Sequence, residues 1–104
     1  ERIAVAALGG NDPPKVSPTS GASYRLIART IREIFPDALV APGLMIAATD
    51  SRHYESVSDN IFRFSPVRAN AQDLTRFHGT NERISIDNYA DMIRFYRRLM
   101  SSDM

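Results

Sequence analysis

The stretch YRLIARTIREIF, residues 24–35, decides how the rest of the chain is read. Its apolar side chains recur at the spacing of one helix face, and the intervening arginines fall elsewhere on the helix. The apolar set is Tyr24, Ile27, Ile31, Ile34 and Phe35. Thr19 or Ser20 can cap this helix, and Pro36 ends it because the residue before a proline is pushed out of helical geometry. We therefore predict a helix over 20–35.

A second amphipathic helix is predicted over residues 86–100. Ser85 or Asp87 can cap its amino end. The arginines near its carboxyl end suit the negative pole of the helix dipole. Its predicted apolar face consists of Tyr89, Met92, Ile93, Tyr96, Leu99 and Met100.

Three short apolar segments have the composition of strands. Residues 1–8 are bounded by two glycines, residues 38–41 are closed by a Pro-Gly pair, and residues 60–64 alternate apolar and polar side chains. The order of strands and helices predicts an α/β fold, with two helices packed on a small mixed sheet.

Composition excludes several classes of protein. The 104 residues are 43% hydrophobic with a net charge of +1, so an intrinsically disordered chain is disfavoured. No apolar run approaches the roughly 20 residues of a membrane span, so no membrane partner is predicted. Basic and acidic residues are balanced in both halves, which disfavours a nucleic-acid partner. Cysteine is absent, so a metal site would have to use His, Asp or Glu.

Two polar clusters follow apolar segments: TDSRHY at residues 49–54 and FHGTNER at residues 77–83. Neither establishes a site by composition alone. A zinc site needs three or four ligands, and neither cluster has the spacing of a nucleophile elbow with its base.

In order along the chain, PGLMIAATDSRHY (42–54), NIFRFSP (60–66) and FHGTNERISIDNY (77–89) form a more specific pattern. The pattern resembles the carboxyl-terminal segment of a dizinc metallopeptidase superfamily, and above all its carboxypeptidase S branch. The superfamily also includes Gly-Xaa carboxypeptidases, N-acyl amino acid acylases and succinyl-diaminopimelate desuccinylase. The resemblance covers nearly the whole chain. In one departure, Ala47-Ala48 replaces the Gly-Gly pair of the family.

The resemblance implies that His78 is the metal ligand supplied by this segment, in an enzyme with two zinc ions. A neutral imidazole is a good zinc ligand. The remaining ligands and the general base lie in the amino-terminal part of such enzymes. We therefore expect the isolated segment to be inactive, to hold no zinc of its own, and to need the missing amino-terminal part of the same protein as its partner.

The resemblance also assigns the residues around the metal ligand. Thr49 and Arg52 match the loop that faces the substrate, where a guanidinium can hold a free carboxylate. Asp50, Asn81 and Glu82 are implied to hold the two loops by hydrogen bonds.

At the level of the whole protein, the resemblance implies two regions. Residues 1–16 would be the last strand and linker of an inserted lid or dimerisation domain, through which a homodimer could form. Residues 17–104 would be the carboxyl-terminal part of the catalytic domain. The enzyme would hydrolyse an amide bond next to a free-carboxylate residue, in a peptide or an N-acyl amino acid. The alternative from the residues themselves is a small non-enzymatic α/β interaction module whose arginines bind an acidic partner.

Overall fold

The computed structural model describes residues 2–102, and its regular structure is helical. The elements are α1 (Ala22–Ile34), a 3₁₀ helix (Asp50–Tyr54), α2 (Ala71–Leu74) and α3 (Ile86–Met100). Both predicted amphipathic helices are confirmed, since α1 falls within 20–35 and α3 spans 86–100.

The helix ends follow local chemistry only in part. Ser85 caps α3 as predicted, because its side chain accepts a hydrogen bond from the Asn88 N–H at 3.2 Å. The predicted cap of α1 by Thr19 or Ser20 is wrong, because α1 begins after Gly21 with no side-chain cap. Its other end is as predicted: Phe35, directly before Pro36, leaves helical geometry at φ −125° and ψ 74°.

The α/β prediction is wrong, because residues 2–102 contain no strand. Within this part of the chain, residues 2–17 take part in no backbone–backbone hydrogen bond, and Ile3, Val5 and Leu8 are almost fully exposed. Residues 38–41 and 60–64 are likewise irregular. Apolar composition makes a segment suitable for a strand, but a strand exists only when a neighbouring backbone pairs with it. Glu1, the start of the first predicted strand, lies outside the described residues.

The two long helices therefore pack on each other and not on a sheet. The buried centre consists of Ile31, Phe35 and Phe95, and Phe95 also meets the Phe64 ring at a centroid distance of 5.3 Å. The predicted face of α3 is correspondingly wrong in part. Phe95, which was not predicted, is the residue turned inward at 2% exposure, whereas the predicted Ile93 is 54% exposed.

Two ion pairs stabilise the packing of the two helices. Arg68 donates to both carboxylate oxygens of Asp37, at 2.9 and 2.6 Å, and its guanidinium lies 5.2 Å from the centre of the Phe35 ring. The Asn88 amide exchanges two hydrogen bonds with the Arg68 backbone, at 2.9 and 2.8 Å. Arg98 of α3 donates twice to Glu33 of α1. These contacts join the end of α1, the loop at residue 68 and both ends of α3.

The described residues nevertheless bury little surface. Their accessible area is 9060 Å², whereas a compact monomer of 11.6 kDa would expose about 5,800 Å². The radius of gyration is 17.5 Å, against about 13 Å for a compact chain of this length. No helix among the described residues is long and apolar enough to span a membrane. Much apolar surface is thus left without a partner inside this part of the chain.

Candidate functional site

The first candidate loop is built around a hydroxyl cap. Thr49 precedes the 3₁₀ helix, and its Oγ1 accepts a hydrogen bond from the Ser51 N–H at 3.2 Å. A threonine or serine two residues before a free N–H forms this type of turn. Arg63 reaches the same turn from the sequence segment 60–64, and its Nε donates to Ser51 Oγ at 2.7 Å and to Thr49 Oγ1 at 3.3 Å.

Arg52 is the exposed cation of this loop. Its Nε donates to Nε2 of His53 at 3.4 Å, which leaves the terminal guanidinium nitrogens of Arg52 for other partners. Within residues 2–102, Arg52 forms no ion pair, whereas Arg68 and Arg98 are each bound by a carboxylate. An arginine that is exposed and lacks an internal carboxylate is a suitable anchor for an anionic ligand.

An open groove of 1110 Å³ runs beside this loop. Thr49, Arg52 and His53 lie along it, and Ile46 and Phe62 contribute apolar surface to its walls. The lining also includes two acidic residues, Asp12 and Glu55, and two further basic ones, Lys15 and Arg63. Arg52 and the apolar walls together could contact a ligand that carries both a carboxylate and an apolar part.

The second candidate loop, residues 77–82, has an unusual backbone. His78 and Asn81 adopt positive φ angles of 56° and 63°, the left-handed region that non-glycine residues rarely occupy. At Gly79, a Cβ atom would lie 3.1 Å from the carbonyl oxygen of Thr75, closer than side chains normally tolerate. The Gly79 N–H donates to the carbonyl of Arg76 at 2.9 Å, which closes the turn that presents His78 to solvent.

The structure brings only some of the predicted site residues together. Thr49 and Arg52 share the first loop and its groove, but His78 does not line that groove. Asp50, Asn81 and Glu82 are exposed. No side-chain hydrogen bond from these three is found within the described residues, so their supporting role stays a prediction. Arg63 was missed by the sequence reading, because an arginine between two phenylalanines carries no signal that it will turn toward a loop 12 residues away.

The described residues do not form a metal site by themselves. They contain no group of three or more His, Cys, Asp or Glu side chains placed to hold an ion. His78 alone supplies one exposed imidazole, and a zinc site needs three or four ligands.

Comparison with known proteins gives the class of the chain. The model of peptidase family M20/M25/M40 matches residues 2–102. The chain is 45% identical over 91 residues to probable carboxypeptidase S-like 2 of Dictyostelium discoideum, an alignment that covers 88% of this chain and 18% of the relative. It is 40% identical over 104 residues to the N-fatty-acyl-amino acid synthase/hydrolase PM20D1.1 of Danio rerio, with 98% of this chain and 20% of the relative covered.

The chain therefore belongs to the metal-dependent peptidase family M20/M25/M40. Human PM20D1 is also similar, at 33% identity over 97% of this chain and 21% of its own length. The chain thus spans about a fifth of the length of the curated relatives it matches. No solved structure matches it. These similarities favour an enzyme segment over the alternative of a non-enzymatic interaction module.

Proposed function

We propose that this chain is the carboxyl-terminal segment of a zinc-dependent hydrolase that cleaves an amide bond next to a residue with a free carboxylate. Residues 17–104 would belong to the catalytic domain, and residues 1–16 would be the linker from an inserted lid domain. The substrate would be a peptide or an N-acyl amino acid. The names of the relatives, a carboxypeptidase S-like protein and an N-fatty-acyl-amino acid synthase/hydrolase, support both substrate classes.

The observation that carries the proposal is that Arg52 is exposed beside a groove and has no carboxylate partner within the described residues. Thr49 lies beside it along the same groove. A guanidinium can donate two parallel hydrogen bonds to a carboxylate. In this proposal Arg52 binds the free carboxylate of the substrate, Thr49 donates to the same group, and the apolar walls contact the acyl or side-chain part.

His78 would supply one ligand to a zinc ion, and the other ligands would come from the rest of the full-length protein. The left-handed backbone at His78 supports a presenting role, because such conformations concentrate at functional sites. The ion would supply Lewis-acid chemistry when bound. Since the described residues contain no group of three or more side chains placed to hold an ion, this segment alone would neither hold zinc tightly nor hydrolyse substrate.

The test uses the full-length protein that carries this chain. Purified enzyme is assayed on an N-acyl amino acid and on the matching N-acyl amino acid amide, in which the charge is removed. We expect clear preference for the carboxylate, and we expect Arg52→Met to remove that preference. Arg32→Met is the matched control, since Arg32 is an exposed arginine of α1 that does not line the groove. Hydrolysis of neither substrate, or a preference that survives Arg52→Met, would contradict the proposal.

A further inference from the structure

We propose that Arg63 is a positioning residue that holds the Thr49–Ser51 turn and thereby fixes the direction in which Arg52 meets the substrate. This inference rests on the proposed function, because it concerns the same carboxylate-binding loop. It adds a residue outside the TDSRHY cluster, in the NIFRFSP segment, to which the resemblance assigned no role in the site.

Arg63 bridges two hydroxyl groups with one donor. Its single Nε–H lies 2.7 Å from Ser51 Oγ and 3.3 Å from Thr49 Oγ1, and the two hydroxyl oxygens are 2.5 Å apart. A guanidinium donates hydrogen bonds and cannot accept them. Both hydroxyl oxygens therefore act as acceptors toward Arg63, and their own hydrogens must point away from it. The three side chains form one closed cluster.

The segment that carries Arg63 is held by contacts to Ser17, which precedes α1, and to Tyr24 of α1. Ser17 Oγ donates to the carbonyl of Ile61 at 2.8 Å and accepts from the Ile61 N–H at 2.9 Å. The Phe62 ring lies 5.8 Å from the ring of Tyr24, on α1. The two residues before Arg63 are therefore anchored, whereas Thr49 of the turn that it contacts is exposed and Ser51 is half-buried. The hydrogen bonds from Arg63 to Thr49 and Ser51, called the clamp below, therefore hold the turn at a fixed place beside α1.

Arg52 depends directly on that turn. It follows Ser51 in the chain, and its N–H faces the carbonyl of Thr49 at 3.4 Å, a long hydrogen bond. A weak backbone bond cannot by itself hold an exposed side chain in one direction. With Arg63 removed, the turn would retain the contacts between Thr49 and Ser51 and this long backbone bond. The guanidinium of Arg52 would then sample more orientations, and carboxylate binding would weaken.

The first test measures kinetics in the full-length enzyme, with the carboxylate substrate and its neutral amide. We expect Arg63→Met to lower kcat/KM on the carboxylate substrate about tenfold, the loss expected for one hydrogen bond to a charged group. The change should fall mainly on KM, and the amide should change less than about twofold. Arg63→Lys, which keeps a donor, should recover part of the loss. Arg32→Met is the matched control and should not change either substrate.

A double variant separates positioning from direct contact. If Arg63 acts through Arg52, adding Arg63→Met to Arg52→Met should change kcat/KM no further. Independent, additive losses would overturn the proposal in favour of a direct substrate contact. Equal losses on the carboxylate and the amide would overturn it in favour of a purely structural role.

Hydrogen exchange tests the clamp independently of activity. In the full-length protein, Arg63→Met should speed exchange of the Ser51 amide about tenfold or more, because a turn with fewer hydrogen bonds opens more often. Exchange in α1 and α3 should not change. An unchanged Ser51 amide overturns the inference even if the enzyme is active. If the wild-type enzyme cleaves neither substrate, the proposed function fails, while the exchange result still decides whether Arg63 holds the turn.

Discussion

The helix pair and the two candidate loops are organised in opposite ways. In α1 and α3, Thr30 and Phe95 are almost fully buried, and Arg98 ties one helix to the other. Residues 49–54 and 77–82 contain no buried side chain. Their hydrogen bonds are mostly to near neighbours in sequence, and the Arg63 contact is the exception. The helix pair has a buried centre and an ion pair within the described residues, whereas the loops present their groups outward.

This contrast indicates where stability and chemistry are separated. Substitutions of buried side chains in the helix pair should change folding and affect activity only through folding. Substitutions in the loops should change activity in the full-length enzyme and leave the fold intact. The following predictions, from the largest expected effect to the smallest, test that separation.

Phe95→Ala should have the largest effect. Truncation of a buried aromatic ring leaves a cavity and costs about 3–5 kcal/mol of unfolding free energy. Urea denaturation of the full-length protein measures this loss. Ile93→Ala is the matched control on the same helix. Ile93 is 54% exposed within the described residues, so its loss should be much smaller if the described core is also a core of the full-length protein. Equal losses at the two positions would show that the packing of Phe95 against Ile31 and Phe35 does not determine the stability of this region.

The features that were predictable from the sequence follow the same division between helices and irregular segments. The helices were predictable, because a helix makes its hydrogen bonds within one segment and its apolar period is visible in residues 24–35. The strands were not, because residues 2–8, 38–41 and 60–64 would need partners that their own sequence does not specify. Phe95 was missed because Ile93 and Tyr96 belong to an equally regular apolar stripe on another face of α3. That face is largely exposed within the described residues.

Arg52→Lys comes next in expected size. Lysine keeps the charge but cannot donate two parallel hydrogen bonds to a carboxylate. In the full-length enzyme we expect kcat/KM on the carboxylate substrate to fall about tenfold to a hundredfold, the equivalent of a charge-assisted bond. The urea midpoint should not move, because Arg52 is exposed. An unchanged kcat/KM would assign Arg52 a structural role only.

Asn81 tests whether the second loop needs a side chain or a backbone conformation. At φ 63°, an alanine would be strained by about 1–2 kcal/mol, whereas a glycine would not. We therefore expect Asn81→Gly to retain activity within about twofold and Asn81→Ala to lose more. Equal losses in both variants would indicate that the amide itself is required, as the sequence reading predicts for Asn81.

The smallest effect concerns pH. Hydrogen bonding from Arg68 lowers the pKa of Asp37 from its usual 3.8 to about 2. Because the folded-state pKa is depressed, the unfolded chain binds the proton first, so the stabilisation is present above pH 3.8 and is lost as the pH falls toward about 2. Asp37→Asn should flatten the pH dependence of the unfolding midpoint in that window. An unchanged slope in the variant would show that the exposed pair does not contribute.

The residues of the candidate site were predictable where they lie in one contiguous motif. Thr49 and Arg52 lie in one stretch, so their shared loop follows from sequence proximity. Arg63 contacts that loop from a separate segment, and a single sequence does not show which distant residues are in contact. The relation of His78 to the first loop depends on residues beyond this chain, which spans about a fifth of its relatives.

The zinc content of the full-length protein with His78→Ala tests most sharply whether this segment supplies a metal ligand. His53→Ala is the matched control, because the chain contains only these two histidines and His53 contacts Arg52. We expect His78→Ala to lose bound zinc and His53→Ala to retain the wild-type amount. The unfolding midpoints of the metal-free proteins should agree, since bound metal would itself add stability. A wild-type zinc content in His78→Ala would contradict the assignment of the second loop.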